Sequence, residues 1–301
     1  MHNALLLLLA TILWGFGFVT SRWLIADYSP LIANALRYIL AALFALPGLW
    51  YFRSYLKPFF YWRISLFAAL ILFSSMYLQI EGLHYTTVAK NGFITVLYAL
   101  FTPMLTLLFY RARHGLYFWP LLFMALFGIF LMCDLSFEQF NWGDFLTLLC
   151  AILFSFHILY LDRIARHIPS ALEFNLAQCF WMGLMGIAMA LLSGEQVNLG
   201  ALWQHGGIEL LWTASSLSGL LFLSFFSSIV AFSIQVHAQK SLPPHIVGLI
   251  FLLESPFAAL FGYLFLQEKL NIQNIIGGGL VMVAVGLLPF FEMQRKKKLR
   301  V

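Results

Sequence analysis

The chain of 301 residues is 62% hydrophobic and only 10% charged, with a formal net charge of +5. Its mean hydropathy is +0.89. A soluble domain of this size needs a largely polar surface, so this composition excludes one. Apolar runs of about 20 residues recur along the chain, which predicts an all-α integral membrane protein and not a β-barrel.

Turn residues and charges divide the apolar runs into ten candidate helices. The predicted spans, numbered 1 to 10 in chain order, are residues 4–25, 31–51, 61–80, 87–109, 116–133, 143–162, 172–193, 210–233, 245–266 and 272–291. The first residues, MHN, lack the basic region of a cleavable signal peptide, so we expect span 1 to be retained.

Ten spans place both chain ends on one side of the membrane. If that side is cytoplasmic, 13 of the 17 Lys and Arg residues fall in inside loops or in the C-terminal tail. They are Arg53, Lys57, Arg63, Arg111, Arg113, Arg163, Arg166, Lys240, Arg295, Lys296, Lys297, Lys298 and Arg300. This positive-inside bias predicts cytoplasmic termini. The basic tail is expected to contact anionic lipid and not nucleic acid.

The second half of the chain repeats the pattern of the first. Three pairs of segments match in order: 4–30 with 144–170, Asn34 and Arg37 with Asn175 and Gln178, and 97–109 with 250–262. Each half holds five spans, and an odd number inverts the second copy relative to the first, which is typical of transporters. The predicted divisions are a first repeat over 1–134, a connecting loop over 135–142, a second repeat over 143–291 and a basic tail over 292–301.

Four stretches of the sequence carry a family resemblance: ILWGFGFVTSRW, GLHYTTVAKNGFITVLYALFTPML, GDFLTLLCAILFSFHILYLDRIAR and LLESPFAALFGYLFLQEKLN. They resemble the EamA family of the drug/metabolite transporter superfamily. The resemblance implies ten spans in two inverted five-helix repeats, cytoplasmic termini and a central cavity lined by both halves. It further implies a bacterial inner (plasma) membrane protein that moves small metabolites, often amino acids and usually outward.

Glu254 lies near the centre of span 9, two residues before Pro256. A charge near the bilayer centre costs a few kcal/mol, so this acid must be neutral, paired or facing water. Pro256 removes a backbone donor beside it, and broken helices at the midplane are where transporters bind cargo. Glu254 is a candidate cargo or proton site, and a purely structural role in helix packing stays open.

Arg37 lies about a third of the way into span 2, with Asn34 one turn earlier on the same face. Arginine keeps its proton, so Arg37 must find a carboxylate, carbonyls or water. It is a candidate anchor for a carboxylate of the cargo; snorkelling to the interface or an internal ion pair are the alternatives. Asn175 and Gln178 are the corresponding candidates in span 7.

A polar stripe on one face of span 4 predicts either a wet path or interhelical hydrogen bonds. The stripe consists of Asn91, Thr95, Tyr98 and Thr102. The other candidates for cargo binding are Trp14, Gln79, His157 and Gln235. For each of them, space filling or structural hydrogen bonding is the competing interpretation.

We expect no cofactor and no metal site. Cys133, Cys150 and Cys179 all fall in or beside apolar spans and are interpreted as packing residues. The glycines of span 10 follow no strand, so a nucleotide-binding loop is excluded and direct use of ATP is not expected.

The sequence therefore predicts a secondary transporter, and not an enzyme, with a small-molecule substrate, lipid contacts and no nucleic-acid partner. An amino-acid or related metabolite exporter working by alternating access is the leading hypothesis. Export of hydrophobic cations is the alternative within transport, and an intramembrane enzyme or a channel are alternatives outside it. Both a monomer and a homodimer agree with the sequence.

Overall fold

The computed structural model describes residues 2–52, 58–111, 114–132, 140–200 and 216–298. In these ranges all regular structure is helical. The α-helices are α1 (His2–Leu24), α2 (Pro30–Phe52), α3 (Pro58–Tyr85), α4 (Val88–Thr95), α5 (Tyr98–Tyr110), α6 (Phe118–Met132), α7 (Trp142–Ala165), α8 (Ala171–Ser193), α9 (Ser216–Phe222), α10 (Phe232–Gln239), α11 (Pro244–Phe251), α12 (Glu254–Leu266) and α13 (Ile272–Lys298). A π-helix, Leu223–Ala231, joins α9 to α10.

These helices confirm the predicted architecture of ten spans. Within the described ranges, eight helical segments are long and apolar enough to cross a membrane, and the shorter apolar helices Phe118–Met132 and Ile272–Leu288 supply spans 5 and 10. Span 8 was predicted over 210–233, but its described part runs over Ser216–Gln239. The sequence bound fell short because polar residues such as Gln235 lower the hydropathy at this end of the span. The helix continues through them because Gln235 and Gln239 are buried in the protein.

Some predictions concern positions outside the described residues. The predicted connecting loop, 135–142, falls largely there. So do Cys133 and the basic positions Arg53, Lys57, Arg113 and Arg300.

Three spans are interrupted near their centres. Span 4 is divided at Val96–Leu97 into α4 and α5, and span 9 is divided at Leu252–Leu253 into α11 and α12. Around both breaks the backbone bonds shift to the tighter i to i+3 pattern, as in Leu97 N–H to Ile94 O and Leu253 N–H to Ile250 O. Span 8 is instead widened by the π-helix.

The ten spans pack with an internal twofold relation. Span 2 packs on span 7, span 4 on span 9 and span 5 on span 10. Span 1 packs on spans 8 and 9, just as span 6 packs on spans 3 and 4. Exchanging the two sets of five spans leaves this pattern of contacts unchanged, as expected for two inverted repeats sharing one core. The first and the last described residues lie at one face of the bundle, called the terminal face below; the other is the opposite face.

Glycines bring spans 5 and 10 into backbone contact. A Cβ atom added to Gly277 would lie 2.1 Å from the carbonyl oxygen of Gly128, and one added to Gly128 would lie 2.5 Å from the carbonyl oxygen of Gly277. The same helix also carries Gly279, where an added Cβ atom would have no described atom within 4 Å beyond its own stretch of helix. The glycine cluster of span 10 thus includes one glycine that packing requires and one that it does not.

We expect Gly277→Ala to destabilise the protein by about 1–3 kcal/mol, because the added methyl group must push two helix backbones apart. Gly279→Ala is the matched control on the same helix and should leave stability unchanged or raise it. Thermal unfolding of the purified protein in detergent measures both. Equal midpoints for the two variants would contradict the close contact between spans 5 and 10.

Candidate functional site

A cavity lies between the two halves and extends from the middle of the spans toward the opposite face. Its empty space amounts to about 390 Å³, including its mouth. Spans 1, 2, 3, 4, 6, 8 and 9 all contribute to the wall. The lining residues are Trp14, Gly17, Phe18, Ser21, Arg37, Met76, Gln79, Thr95, Tyr98, Phe154, Leu223, Ser227, Phe232 and Glu254.

Arg37 reaches this cavity from span 2 and is only 5% exposed. Its Nε donates to Ser228 Oγ at 2.9 Å and its Nη2 donates to Ser227 Oγ at 3.0 Å. Its guanidinium carbon lies 5.0 Å from the ring centroid of Tyr38. No carboxylate of the described residues forms an ion pair with Arg37. The internal ion pair that the sequence left open is therefore absent among these residues. Arg37 thus presents a positive charge held only by neutral groups.

The π-helix of span 8 supplies those two serines, and neighbouring spans hold it in place. Trp14 Nε1 donates to Ser227 O at 3.3 Å. Asn175 Nδ2 donates to Ser228 O at 3.0 Å, to Ile229 O at 2.9 Å and to Ser233 Oγ at 3.1 Å. Carbonyls of a widened helix stay accessible to such side-chain donors, and π-helical turns are frequent at functional sites. Spans 1 and 7 therefore position the serine pair that holds Arg37.

Glu254 and Tyr98 meet at the breaks of spans 9 and 4. Each is the first residue of the helix that follows its break, α12 for Glu254 and α5 for Tyr98. The Tyr98 hydroxyl donates to Glu254 Oε2 at 2.9 Å, and Glu254 is 5% exposed. A carboxylate at a helix N-terminus is stabilised by the partial positive charge there. Glu254, the acid within the apolar run of span 9, is accordingly stabilised by the N-terminus of α12 and by the hydrogen bond from Tyr98, and it borders the cavity.

Aromatic rings form the floor of the cavity on the side of the terminal face. The ring of Trp14 lies 4.9 Å from those of Phe232 and Phe251 and 6.2 Å from that of Phe154, measured between centroids. Tyr98 contacts Phe154 at 4.9 Å. These close contacts seal the cavity below Arg37 and Glu254.

The structure brings some of the predicted site residues to the cavity and places the others elsewhere. Lining it are Trp14, Arg37, Gln79, Thr95, Tyr98 and Glu254. Buried away from it are Asn34, Asn91, Thr102, His157, Asn175, Gln178 and Gln235. Their predicted role in cargo binding stays a prediction.

The polar stripe of span 4 is divided by the helix break. Thr95 lines the cavity and accepts from Gln79 Nε2 at 3.2 Å. Asn91 points away, and its Nδ2 donates to Thr147 Oγ1 at 2.8 Å and to Gln79 O at 3.1 Å. Thr102 is buried without a hydrogen bond from its hydroxyl to the described residues. Because the helix axis is interrupted at the break, the polar side chains of α4 and α5 do not form one continuous stripe along span 4.

Sequence reasoning did not select eight of the lining residues, which are Gly17, Phe18, Ser21, Met76, Phe154, Leu223, Ser227 and Phe232. Most are apolar and look like ordinary core positions in a hydrophobic chain. One signal was available for Phe154, since it occupies in segment 144–170 the place that Trp14 occupies in 4–30.

The helix starts give the register between the two halves at spans 4 and 9. Val88 and Pro244 begin the first pieces of these spans and Tyr98 and Glu254 begin the second pieces; both pairs are 156 residues apart. Tyr98 and Glu254 are therefore equivalent positions of the repeat and touch across its twofold axis. This register differs by three residues from the pairing of the two proline-containing segments, 97–109 and 250–262, that the sequence suggested.

The same equivalence applies to other lining residues. Continuing the register of 156 residues into spans 3 and 8 pairs Met76 with Phe232 and Gln79 with Gln235. In spans 1 and 6 the matched segments pair Trp14 with Phe154. Trp14, Phe154, Met76, Phe232, Tyr98 and Glu254 all line the cavity. Its floor consequently lies at the axis that relates the two halves, where inverted-repeat transporters bind cargo.

Ten membrane-spanning helices in two inverted repeats, around a central cavity that contains Arg37 and Glu254, define a multi-span membrane transporter fold. The family model "EamA-like transporter family" matches residues 2–133 and again residues 141–289. The chain belongs to the EamA-like transporter family, and the two matches correspond to the two halves.

Two further similarities were found. An uncharacterized transporter from Archaeoglobus fulgidus is 27% identical over 282 residues, which cover 93% of this chain and 83% of that protein. A protein of known crystal structure superposes with a TM-score of 0.75 at 14% identity, covering 97% of this chain and 98% of that one. At that identity the second likeness concerns the fold.

We expect Asn175→Ala to destabilise the protein by about 1–3 kcal/mol, because it removes the amide donor that span 7 supplies to two carbonyls of the widened part of span 8. Asn34→Ala is the matched control: Asn34 is buried in span 2, but its amide makes no hydrogen bond to the described residues. Unfolding midpoints in detergent measure the difference. If Asn34→Ala lost as much stability as Asn175→Ala, the hydrogen bonds to the π-helix would not be what Asn175 contributes.

Proposed function

We propose that this protein is a secondary transporter that carries amino acids or related small metabolites out of the cell by alternating access. The observation that carries the proposal is Arg37, a buried cation in the cavity whose side-chain hydrogen-bond partners among the described residues are two neutral serine hydroxyls. A cargo carboxylate would supply the missing negative charge.

The physical reason is the cost of burying an unpaired charge. A guanidinium removed from water loses several kcal/mol of hydration, and neutral hydrogen bonds recover only part of it. A carboxylate can pair with the planar guanidinium through two parallel hydrogen bonds, which is among the strongest polar contacts in proteins. The site is therefore best satisfied when an anionic group is bound.

The rest of the cavity fits the remaining parts of an amino acid. Glu254 offers a carboxylate oxygen at the floor for an ammonium group. Trp14, Phe18 and Met76 offer apolar surface for a side chain. A molecule with one anionic end, one cationic end and an apolar body would therefore find a complement in each part.

The alternative of exporting hydrophobic cations uses Glu254 as the counter-charge. Arg37 opposes it, because a buried positive charge in the same cavity repels a cationic cargo. Catalysis is not proposed either. The described lining contains no histidine or cysteine, and the hydroxyl of Ser227 accepts from Arg37 and has no adjacent base.

The charge distribution supports an orientation with both termini in the cytoplasm, because the basic residues concentrate in the loops and tail of that side. The location that we propose is the cell's inner (plasma) membrane. In this orientation the cavity opens to the outside. Transport would be driven by the cargo gradient or by protons.

Counterflow in proteoliposomes loaded with a panel of amino acids tests the proposal. Saturable exchange is expected for at least one of them. Arg37→Ala should weaken the apparent affinity for that cargo roughly 10- to 100-fold, the loss of one charge-assisted contact of about 1.5–3 kcal/mol. Arg166→Ala, which removes an exposed arginine at the terminal face, is the control and should exchange normally. Unchanged exchange in Arg37→Ala would refute the carboxylate anchor.

Glu254→Gln tests the other end of the cargo. The substitution keeps a hydrogen-bond acceptor for Tyr98 but removes the negative charge. We expect weaker exchange of amino acids and unaltered exchange of any transported monocarboxylate that lacks an amino group. Glu195→Gln, at an exposed position, is the control. Equal losses for both kinds of cargo would show that Glu254 acts through the structure of the helix break and not through its charge.

A further inference from the structure

A second cluster of polar side chains is buried on the side of the terminal face, below the aromatic floor. It consists of His157 on span 6, Gln178 on span 7, and Gln235 and Gln239 on span 8. His157 Nε2 lies 3.4 Å from Gln178 Oε1, and Gln235 Nε2 donates to Gln239 Oε1 at 3.0 Å. Gln239 Nε2 donates to Ile158 O at 2.8 Å, which ties this pair to the helix that carries His157.

The cluster leaves polar atoms unsatisfied. Three side-chain atoms have no hydrogen-bond partner among the described residues: His157 Nδ1, Gln178 Nε2 and Gln235 Oε1. All three residues are fully buried. An unmet polar group in a dry interior is costly, and in a bilayer the neighbouring lipid offers no remedy. Three such groups on adjacent spans indicate a second conformation of the protein, in which these side chains would find hydrogen-bond partners.

The internal twofold relation identifies what they correspond to. Matching the halves as above relates Gln178 to Arg37 and Gln235 to Gln79, and the matched segments of spans 1 and 6 relate His157 to Gly17. Arg37, Gln79 and Gly17 all line the cavity that opens toward the opposite face. The buried cluster is therefore the counterpart, in the second half, of the wall of the open cavity in the first half.

We propose that His157, Gln178 and Gln235 line a second vestibule, closed here, which opens to the terminal face when the cavity above it closes. This inference rests on the proposed transport function. In that state the three unsatisfied atoms would bind water and the uncharged hydrogen-bonding groups of passing cargo. Gln239, the last residue of α10, continues the polar path to the end of span 8.

The two vestibules differ in charge. The open cavity contains Arg37, whereas the equivalent position in the closed one is the neutral Gln178. The vestibule toward the terminal face thus accepts polar groups without holding an anion electrostatically. A carboxylate would bind at Arg37 and pass through the second vestibule as a hydrated group.

Single-cysteine variants test the proposal in the full-length protein reconstituted into proteoliposomes. Cys133 and Cys150 are replaced by alanine throughout. Gln178→Cys and Gln235→Cys, each made with Cys179→Ala, report on the vestibule. The variant that keeps only Cys179 is the matched control, because Cys179 is buried next to Gln178 in sequence but faces Ser228 O of the π-helix.

A membrane-impermeant methanethiosulfonate reagent is applied from one side at a time, with cargo cycling. From the terminal face, both reporter thiols are expected to react at least about tenfold faster than Cys179, because thiol modification requires access to the thiolate. From the opposite face they should react no faster than Cys179. Gln79→Cys, in the open cavity, should show the reverse sidedness.

The outcomes separate the vestibule from the proposed function. If cargo exchange proceeds while both reporters remain as slow as Cys179 from the terminal face, the vestibule is refuted and the transport function stands. If the reporters react from the terminal face but no amino acid is exchanged, the vestibule is supported and the proposed cargo is wrong. Two reporters on different spans guard against the misfolding of one variant.

Discussion

Every backbone carbonyl and amide inside a bilayer must find its partner within the protein, and this constraint shapes the centre of the molecule. Spans 4, 8 and 9 all depart from the regular helix there. Such departures are tolerated because donors from neighbouring spans compensate them: Asn175 and Trp14 donate to carbonyls of the π-helix, and the Tyr98 hydroxyl donates to Phe251 O, beside the break of span 9, at 3.3 Å. The polar hub of the cavity is built from the groups that satisfy these irregular helices.

The position of Arg37 depends on this arrangement. The π-helix places Ser227 and Ser228 beside the guanidinium of Arg37, with Ser227 in the cavity wall, and side chains of spans 1 and 7 hold the π-helix. The guanidinium is thus oriented before any ligand arrives. A charged side chain that is already ordered favours binding, because little further side-chain entropy is lost when a counter-ion binds. Under the proposed function, a carboxylate of the cargo would supply the negative charge that the neutral surroundings of Arg37 lack.

The internal symmetry is exact in topology but broken in chemistry. Equivalent positions hold Tyr98 and Glu254 at the axis, and Arg37 and Gln178 to either side of it. A symmetric frame allows the same bundle to open toward either face, because each set of contacts has its counterpart in the other half. Under the proposed transport function, the different residues at equivalent positions would give the two sides different affinities for a charged group.

The sequence alone was enough to predict the ten spans, their inverted arrangement and the two charges that face the cavity. Hydropathy over about 20 residues is a local property, and an intramembrane Arg or Glu is conspicuous for its energetic cost. Local patterns could not tell that Asn175 supports a helix, that Thr102 lies away from the cavity or that Phe154 and Phe232 line it. Those roles depend on where spans 4, 8 and 9 bend and on which residues of distant spans meet there, and only tertiary packing decides both.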